Sequence, residues 1–415
     1  MAIGSLDAAL EAREPLSRRA FVGLAGTAAA LAAGSALFGC APQEEPPAEE
    51  LAGGEPDAQP ADPVEQRVDE LLAGMSEHQR ICQLFCVAPE SLTGVAQVTE
   101  AGAATQQALA AVPVGGVVYF AQNLIDPAQA SGMLAATRGF ALEACGIPPL
   151  LCVDEEGGTV ARIAKQPAFG VHDVGDAADI GAAGSTAAAQ AAAESIGGYL
   201  SALGFNTDFA PVCDVANNPA SDTMRRRSFG ADPELVADMV AAEVAGFEAA
   251  GVLCSAKHFP GIGAAVGDSH DSRIVFEGTL ADLEAVELVP FQAAIAAGVP
   301  LVMVGHLSLP QVAGSDAPAC LSPEVVTDLL RTQLGFQGVA ITDSLAMGAV
   351  GEYYGTADAV VLALQAGCDM LLMPADLDEA LAAVRGALDD GRLTWDRVDA
   401  SVRRILRAKV QYLDF

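Results

Sequence analysis

The chain has 415 residues, 52% of them hydrophobic, and a formal net charge of −33. That length and apolar content describe a globular protein with a sizeable core in one large or two modest domains, and exclude a disordered chain. The acidity disfavours electrostatic binding to nucleic acid or to anionic lipid head groups, and is otherwise accounted for by solubility.

Residues 1–40 read as an export segment. Ser17-Arg18-Arg19-Ala20-Phe21 has the twin-arginine pattern, and an uncharged stretch rich in Ala, Gly and Leu runs from Ala20 to Gly39. Leu37-Phe38-Gly39-Cys40 resembles a lipobox, whose Cys is lipidated after cleavage. A membrane-spanning anchor fits less well, because the stretch is only weakly apolar. The expectation is a mature protein in the cell envelope, held on the outer face of the cytoplasmic membrane by a lipid anchor at Cys40. One acyl chain holds marginally, so firm anchoring needs a second. Residues 41–63, rich in Pro, Glu, Ala and Gly, cannot bury enough surface to fold and read as a disordered linker.

Eight cysteines follow Cys40. An even number in an exported chain invites a disulfide reading. However, Cys152, Cys213, Cys254 and Cys368 lie in or beside apolar runs, where Cys behaves as a small core residue. Mostly free, buried thiols are expected.

From residue 64 the pattern is α/β. Eight short apolar runs are predicted strands: 81–87, 116–120, 150–154, 205–210, 252–257, 301–305, 339–343 and 369–373. Most are separated by segments long enough for a helix, such as 232–250, opening with Asp232-Pro233, and 357–366. A last helix is expected over 395–409. Eight such units predict a single (β/α)8 TIM-type barrel over 64–415. A doubly wound open sheet fits less well, because no Gly-rich dinucleotide loop follows the first strand.

In that barrel the active site lies where the strands end. The third run ends in Asp154-Glu155-Glu156-Gly157-Gly158, the fifth in Lys257-His258, the sixth in Gly305-His306 and the seventh in Asp343. Between the fifth and sixth runs stands Asp268-Ser269-His270. Cation, imidazole and carboxylate at several strand ends are the parts of acid/base and nucleophilic chemistry.

These motifs, with Gly204–Val212, Arg227-Ser228-Phe229-Gly230, Lys257-His258-Phe259-Pro260-Gly261 and Ile341–Met347, resemble glycoside hydrolase family 3 in its β-N-acetylhexosaminidase branch. The resemblance covers about residues 64–415, with the motifs in the family's order. It implies that Asp343 is the catalytic nucleophile, that His270 is the acid/base and that Asp268 orients it. It implies that Asp154, Arg227, Lys257 and His258 hold the sugar hydroxyls. The implied activity is a retaining exo-β-N-acetylglucosaminidase acting on peptidoglycan fragments or chitooligosaccharides, with no cofactor and no metal. A His acid/base on a loop departs from the usual pair of carboxylates and suits a chain without a second domain. Glu155 and Thr159 depart from the family, which often has Gln and Arg there. No role is expected for Glu156, and a structural one for His306.

Rival readings are a β-glucosidase-type hydrolase or an N-acetylglucosaminide phosphorylase of the same family. A metal-dependent hydrolase using His258, Asp268, His270 and His306 is more remote, as is a sugar-binding lipoprotein without turnover.

Overall fold

Eight parallel strands, in the order β7-β6-β5-β4-β3-β2-β1-β8, form the wall of a barrel. They are β1 Phe85–Val87, β2 Gly116–Val118, β3 Leu150–Val153, β4 Thr207–Asp208, β5 Leu253–Phe259, β6 Leu301–Val304, β7 Val339–Thr342 and β8 Leu371–Leu372. The computed structural model describes residues 62–219, 221, 224–265 and 274–415. The export segment, Cys40 and the linker up to residue 61 lie outside the described residues.

The strands read as unbroken apolar runs because both faces are covered, one by the barrel interior and the other by helices. Leu301-Val302-Met303-Val304 is buried throughout. Its register against β7 pairs Leu301 with Val339 and Val304 with Thr342. The ring is completed between β7 and β8, where Ile341 bridges Met370. There Asp369 N donates to Ala340 O at 2.7 Å and Thr342 N to Met370 O at 3.0 Å. The eight-unit barrel expected from the sequence is therefore the observed architecture.

Beyond shifts of one or two residues at strand ends, two boundaries differ in kind. The first run was expected as a strand from Ile81, but Glu77–Gln83 is helical and only Phe85–Val87 is strand. The cause is Ser76-x-x-Gln79, which forms a reciprocal capping box and starts a helix that ends in the same apolar run. Asp62 and Pro63, read as the end of the linker, instead cap and open the helix Pro63–Gly74. The helices Pro233–Ala250, Thr356–Ala366 and Trp395–Tyr412 fall where the sequence places them. Asp232 caps the first of these by accepting from Glu234 N at 3.1 Å.

The end of the barrel opposite the strand tips is held by charge. Asp369, fully buried just before β8, accepts from Ser401 Oγ at 2.7 Å, Arg404 at 3.1 Å and Ala340 N at 3.0 Å, and also from Arg331. These bonds fasten the C-terminal helix to the sheet. Among the described residues all eight cysteines are free thiols, and only Cys145 is not buried.

Candidate active site

Side chains from the C-terminal ends of β2, β3, β5, β7 and β8 converge on one cavity of about 270 Å³. Asp154 enters it after β3, Lys257 and His258 from β5, and Asp343 after β7, while Arg227 arrives from the long connection after β4. Five of the seven predicted site residues thus share one cavity. The other two, Asp268 and His270, lie outside the described residues.

The charges of the cavity are interlocked. Lys257 Nζ lies 2.8 Å from Asp154 Oδ1 and 2.7 Å from Glu156 Oε1, and its side chain is only 2% exposed. Glu156 also takes both arms of Arg227, from Nε at 2.8 Å and from Nη2 at 2.7 Å. Burial opposes ionisation of Glu156, but Lys257 and Arg227 outweigh it and hold the carboxyl at about 2. Burial likewise works against the Lys257 ammonium, yet Asp154 and Glu156 raise its pKa above the ordinary value. Both groups are therefore charged at neutral pH.

His258 is held from behind. Its Nδ1 lies 2.7 Å from Asp214 Oδ2, and Asp214 Oδ1 accepts from Ile262 N at 2.8 Å. A carboxylate oxygen accepts, so Nδ1 carries the proton shared with Asp214 and Nε2 is the nitrogen that faces the cavity. That Nε2 is 3.4 Å from Arg227 Nη2.

Asp343 follows β7 directly. Its backbone N donates to Val304 O at 2.8 Å, and its Oδ1 accepts from Ser344 N at 2.7 Å. Burial pushes its carboxyl up, but His306, His258, the Ser344 N–H and Lys257 together hold it below the ordinary carboxylate value. A half-buried carboxylate kept ionised at a strand tip is what a nucleophile at a sugar carbon requires. His306 has the structural role expected of it, with Nε2 2.8 Å from Ser344 O, on the turn that carries Asp343.

Glu155 turns away from the cavity. It is fully buried and accepts from Ile163 N at 2.9 Å, Ala164 N at 2.8 Å and the Tyr199 hydroxyl at 2.8 Å. Its departure from the family pattern therefore falls on a residue that ties down a loop. The turn that follows needs glycine: Gly158 has φ +49°, and a Cβ there would come within 2.6 Å of Asp176 N. Thr159 reaches Asp176 Oδ1 at 2.8 Å through both its N–H and its hydroxyl.

Sequence reasoning missed two participants. Glu156 joins Lys257 to Arg227, and its signal was its place in the same acidic strand tip as Asp154. Asp214 supports His258, and it stands two residues beyond the Gly204–Val212 motif in an apolar run, Val212-Cys213-Asp214-Val215, that has no other reason to carry a charge. Among the described residues no three His, Cys, Asp or Glu side chains are grouped to hold a metal ion. His306, one of the ligands that a metal-dependent hydrolase would use, is engaged by Ser344 and Cys320.

The model of the glycosyl hydrolase family 3 N-terminal domain matches residues 78–408. A β-hexosaminidase of Stenotrophomonas maltophilia (strain R551-3) is 37% identical over 308 residues, covering 70% of this chain and 88% of that protein. Among solved structures, a family 3 β-N-acetylglucosaminidase from Paenibacillus sp. str. FPU-7 matches with a TM-score of 0.76 and 37% identity, over 82% of this chain. This chain spans 64% of the Paenibacillus chain. The β-N-acetylhexosaminidase of Beutenbergia cavernae DSM 12333 matches with a TM-score of 0.71 and 33% identity, over 81% of this chain and 98% of its own.

Proposed function

The chain belongs to glycosyl hydrolase family 3, and from that premise we propose that it is a retaining exo-β-N-acetylglucosaminidase releasing terminal β-linked N-acetylglucosamine. The observation that carries this reading is the ionised Asp343 carboxylate facing Asp154, Lys257, His258 and Arg227 across a single small cavity. At about 270 Å³ the cavity falls below the ~300–1,000 Å³ usual for larger ligands, which suits one sugar residue at a chain end. Hexosaminidase relatives that match nearly their whole length support the N-acetyl substrate.

In this mechanism Asp343 attacks the anomeric carbon, the bond to the leaving oxygen breaks, and His270 protonates that oxygen. Water, deprotonated by the same imidazole, then displaces Asp343, so two inversions leave the configuration unchanged. Asp154, Lys257, Arg227 and His258 bind the sugar hydroxyls. Lys257 and Arg227 donate, Asp154 accepts, and Asp214 orients the His258 ring so that its Nε2 meets the hydroxyls. Asp268 orients His270. Neither displacement requires a metal or an organic cofactor.

The substrates on this reading are peptidoglycan fragments or chitooligosaccharides, met in the cell envelope. The twin-arginine pattern and Cys40 support export and lipid anchoring; incorporation of a clickable palmitate analogue that disappears in Cys40→Ala would establish the anchor.

The activity is tested with a panel of aryl β-glycosides, following the product anomer by NMR. A strong preference for the N-acetylglucosaminide with a β-anomer formed first is expected. Preference for the glucoside, or sugar 1-phosphate formed on adding phosphate, would select a rival of the same family.

A further inference from the structure

The cavity around Asp343 is divided by chemistry. Asp154, Glu156, Lys257 and His258, with Arg227, make its charged side, and each of these groups has a partner within it or directly behind it. β2 and β8 supply an apolar side, formed by Val118, Phe120, Leu372 and Met373.

Arg162 belongs to neither arrangement. It lines the cavity, but among the described residues no carboxylate pairs with its guanidinium, and its Nε is buried without a hydrogen-bond partner. The backbone beneath it is held firmly: Glu155 Oε2 accepts from Arg162 N at 2.5 Å, and Arg162 O accepts from Gln166 Nε2 at 2.6 Å. The guanidinium carbon lies 6.0 Å from the centroid of the Phe120 ring. A planar donor therefore stands beside an aromatic face, and among the described residues nothing accepts from its Nε.

A buried N–H without a partner is costly unless a ligand supplies the acceptor. The ligand group that suits this place carries a carbonyl oxygen joined to a small apolar substituent. A sugar hydroxyl offers an acceptor but no apolar group for the ring. An acetamido group offers both. Taking the N-acetyl substrate of the proposed function as given, we infer that Arg162 and Phe120 seat the 2-acetamido group and set the preference for N-acetylglucosaminides over glucosides. Arg162 donates to the amide oxygen, and the methyl rests on the Phe120 ring.

The test compares wild type, Arg162→Gln and Phe120→Ala on 4-nitrophenyl β-N-acetylglucosaminide, its N-formyl analogue and 4-nitrophenyl β-glucoside. Loss of a hydrogen bond from a charged donor lowers kcat/KM for the N-acetyl substrate by about 10- to 100-fold in Arg162→Gln, while the glucoside changes little. Phe120→Ala removes most of the preference for N-acetyl over N-formyl. Equal losses on glucoside and N-acetylglucosaminide would reduce Arg162 to a structural residue and overturn the assignment. An unchanged ratio would overturn it too. If Arg162→Gln does not fold, the N-acetyl to N-formyl ratio of Phe120→Ala decides alone. A wild type that prefers the glucoside would sink the functional reading itself, before the variants are compared.

Discussion

Glu156 Oε1 lies 2.7 Å from Lys257 Nζ, and both side chains are more than nine-tenths buried. The same carboxylate receives Arg227, so one anion compensates two cations beside the sugar site. Glu156→Gln leaves those cations short of charge, and a loss of about 3–5 kcal/mol of stability is expected. The sign with pH follows from the lowered carboxyl, near 2 when folded against an ordinary 4.5. Its stabilisation is complete above pH 4.5 and is lost as pH falls through that window toward 2. Urea unfolding of wild type and Glu156→Gln is expected to differ most at pH 7, with the gap narrowing below pH 4.5. A gap that stays constant with pH would mean that the ionised carboxylate is not its source.

Asp343→Ala is expected to lower kcat by about 10⁴-fold or more, because no other carboxylate lining the cavity follows β7. Added azide should restore part of the turnover of a dinitrophenyl substrate and give the α-glycosyl azide, since a small anion then enters from the side that the carboxylate occupied. Wild type treated with a 2-fluoro sugar should carry the label on Asp343. Labelling elsewhere would remove Asp343 from the nucleophile role.

His270→Ala should separate substrates by leaving group. Protonation matters most where the departing oxygen is basic, so disaccharide hydrolysis is expected to fall by about 10²–10⁴-fold. An activated dinitrophenyl glycoside should fall far less. Because Asp268 is assigned only to orient His270, Asp268→Asn should follow the same pattern with a smaller amplitude. Uniform losses across leaving groups would mean that neither residue handles the proton.

The sequence made most of this barrel legible because a strand buried on both faces has to be apolar throughout, and eight such runs stand out. It failed at Ile81–Gln83, where a helix enters the core just before the strand and the apolar run does not change at the junction. The strand tips were legible because Asp154, Lys257, His258 and Asp343 interrupt apolar runs at their C-terminal ends. Arg227 was reached only through its motif, since a basic triplet looks the same whether it is solvated or buried against Glu156. Asp214 escaped because support for a ring nitrogen comes from the neighbouring strand, 44 residues from His258 in the chain, and no local pattern encodes that pairing. Arg162 escaped for a similar reason: an unpaired cation is defined by what does not surround it, which only the assembled cavity reveals.

Glu287 gives a pH dependence of opposite sign. It lies fully buried against the turn after β5, so close that a Cβ on Gly261 would come within 2.6 Å of its Oε2. Asn217 Nδ2 donates to Oε1 at 3.2 Å, while Oε2 has no hydrogen-bond partner among the described residues. Burial, reinforced by the nearby Asp214 charge, raises this carboxyl to about 8, against the pull of Asn217 and the Val215 and Ala264 backbone. The folded protein thus keeps a proton that the unfolded chain has released above pH 4.5. Between pH 4.5 and 8 the folded state binds more protons, so this group costs stability as pH rises, by up to about 1.4 kcal/mol per pH unit. Glu287→Gln has a similar shape, keeps an acceptor for Asn217 and does not titrate. Relative to wild type it should gain stability steadily from pH 5 to pH 8 in urea unfolding, with the difference levelling off above 8. A difference of the same size at both ends of that range would show that Glu287 is ionised in the folded protein and that its free oxygen is satisfied in some other way.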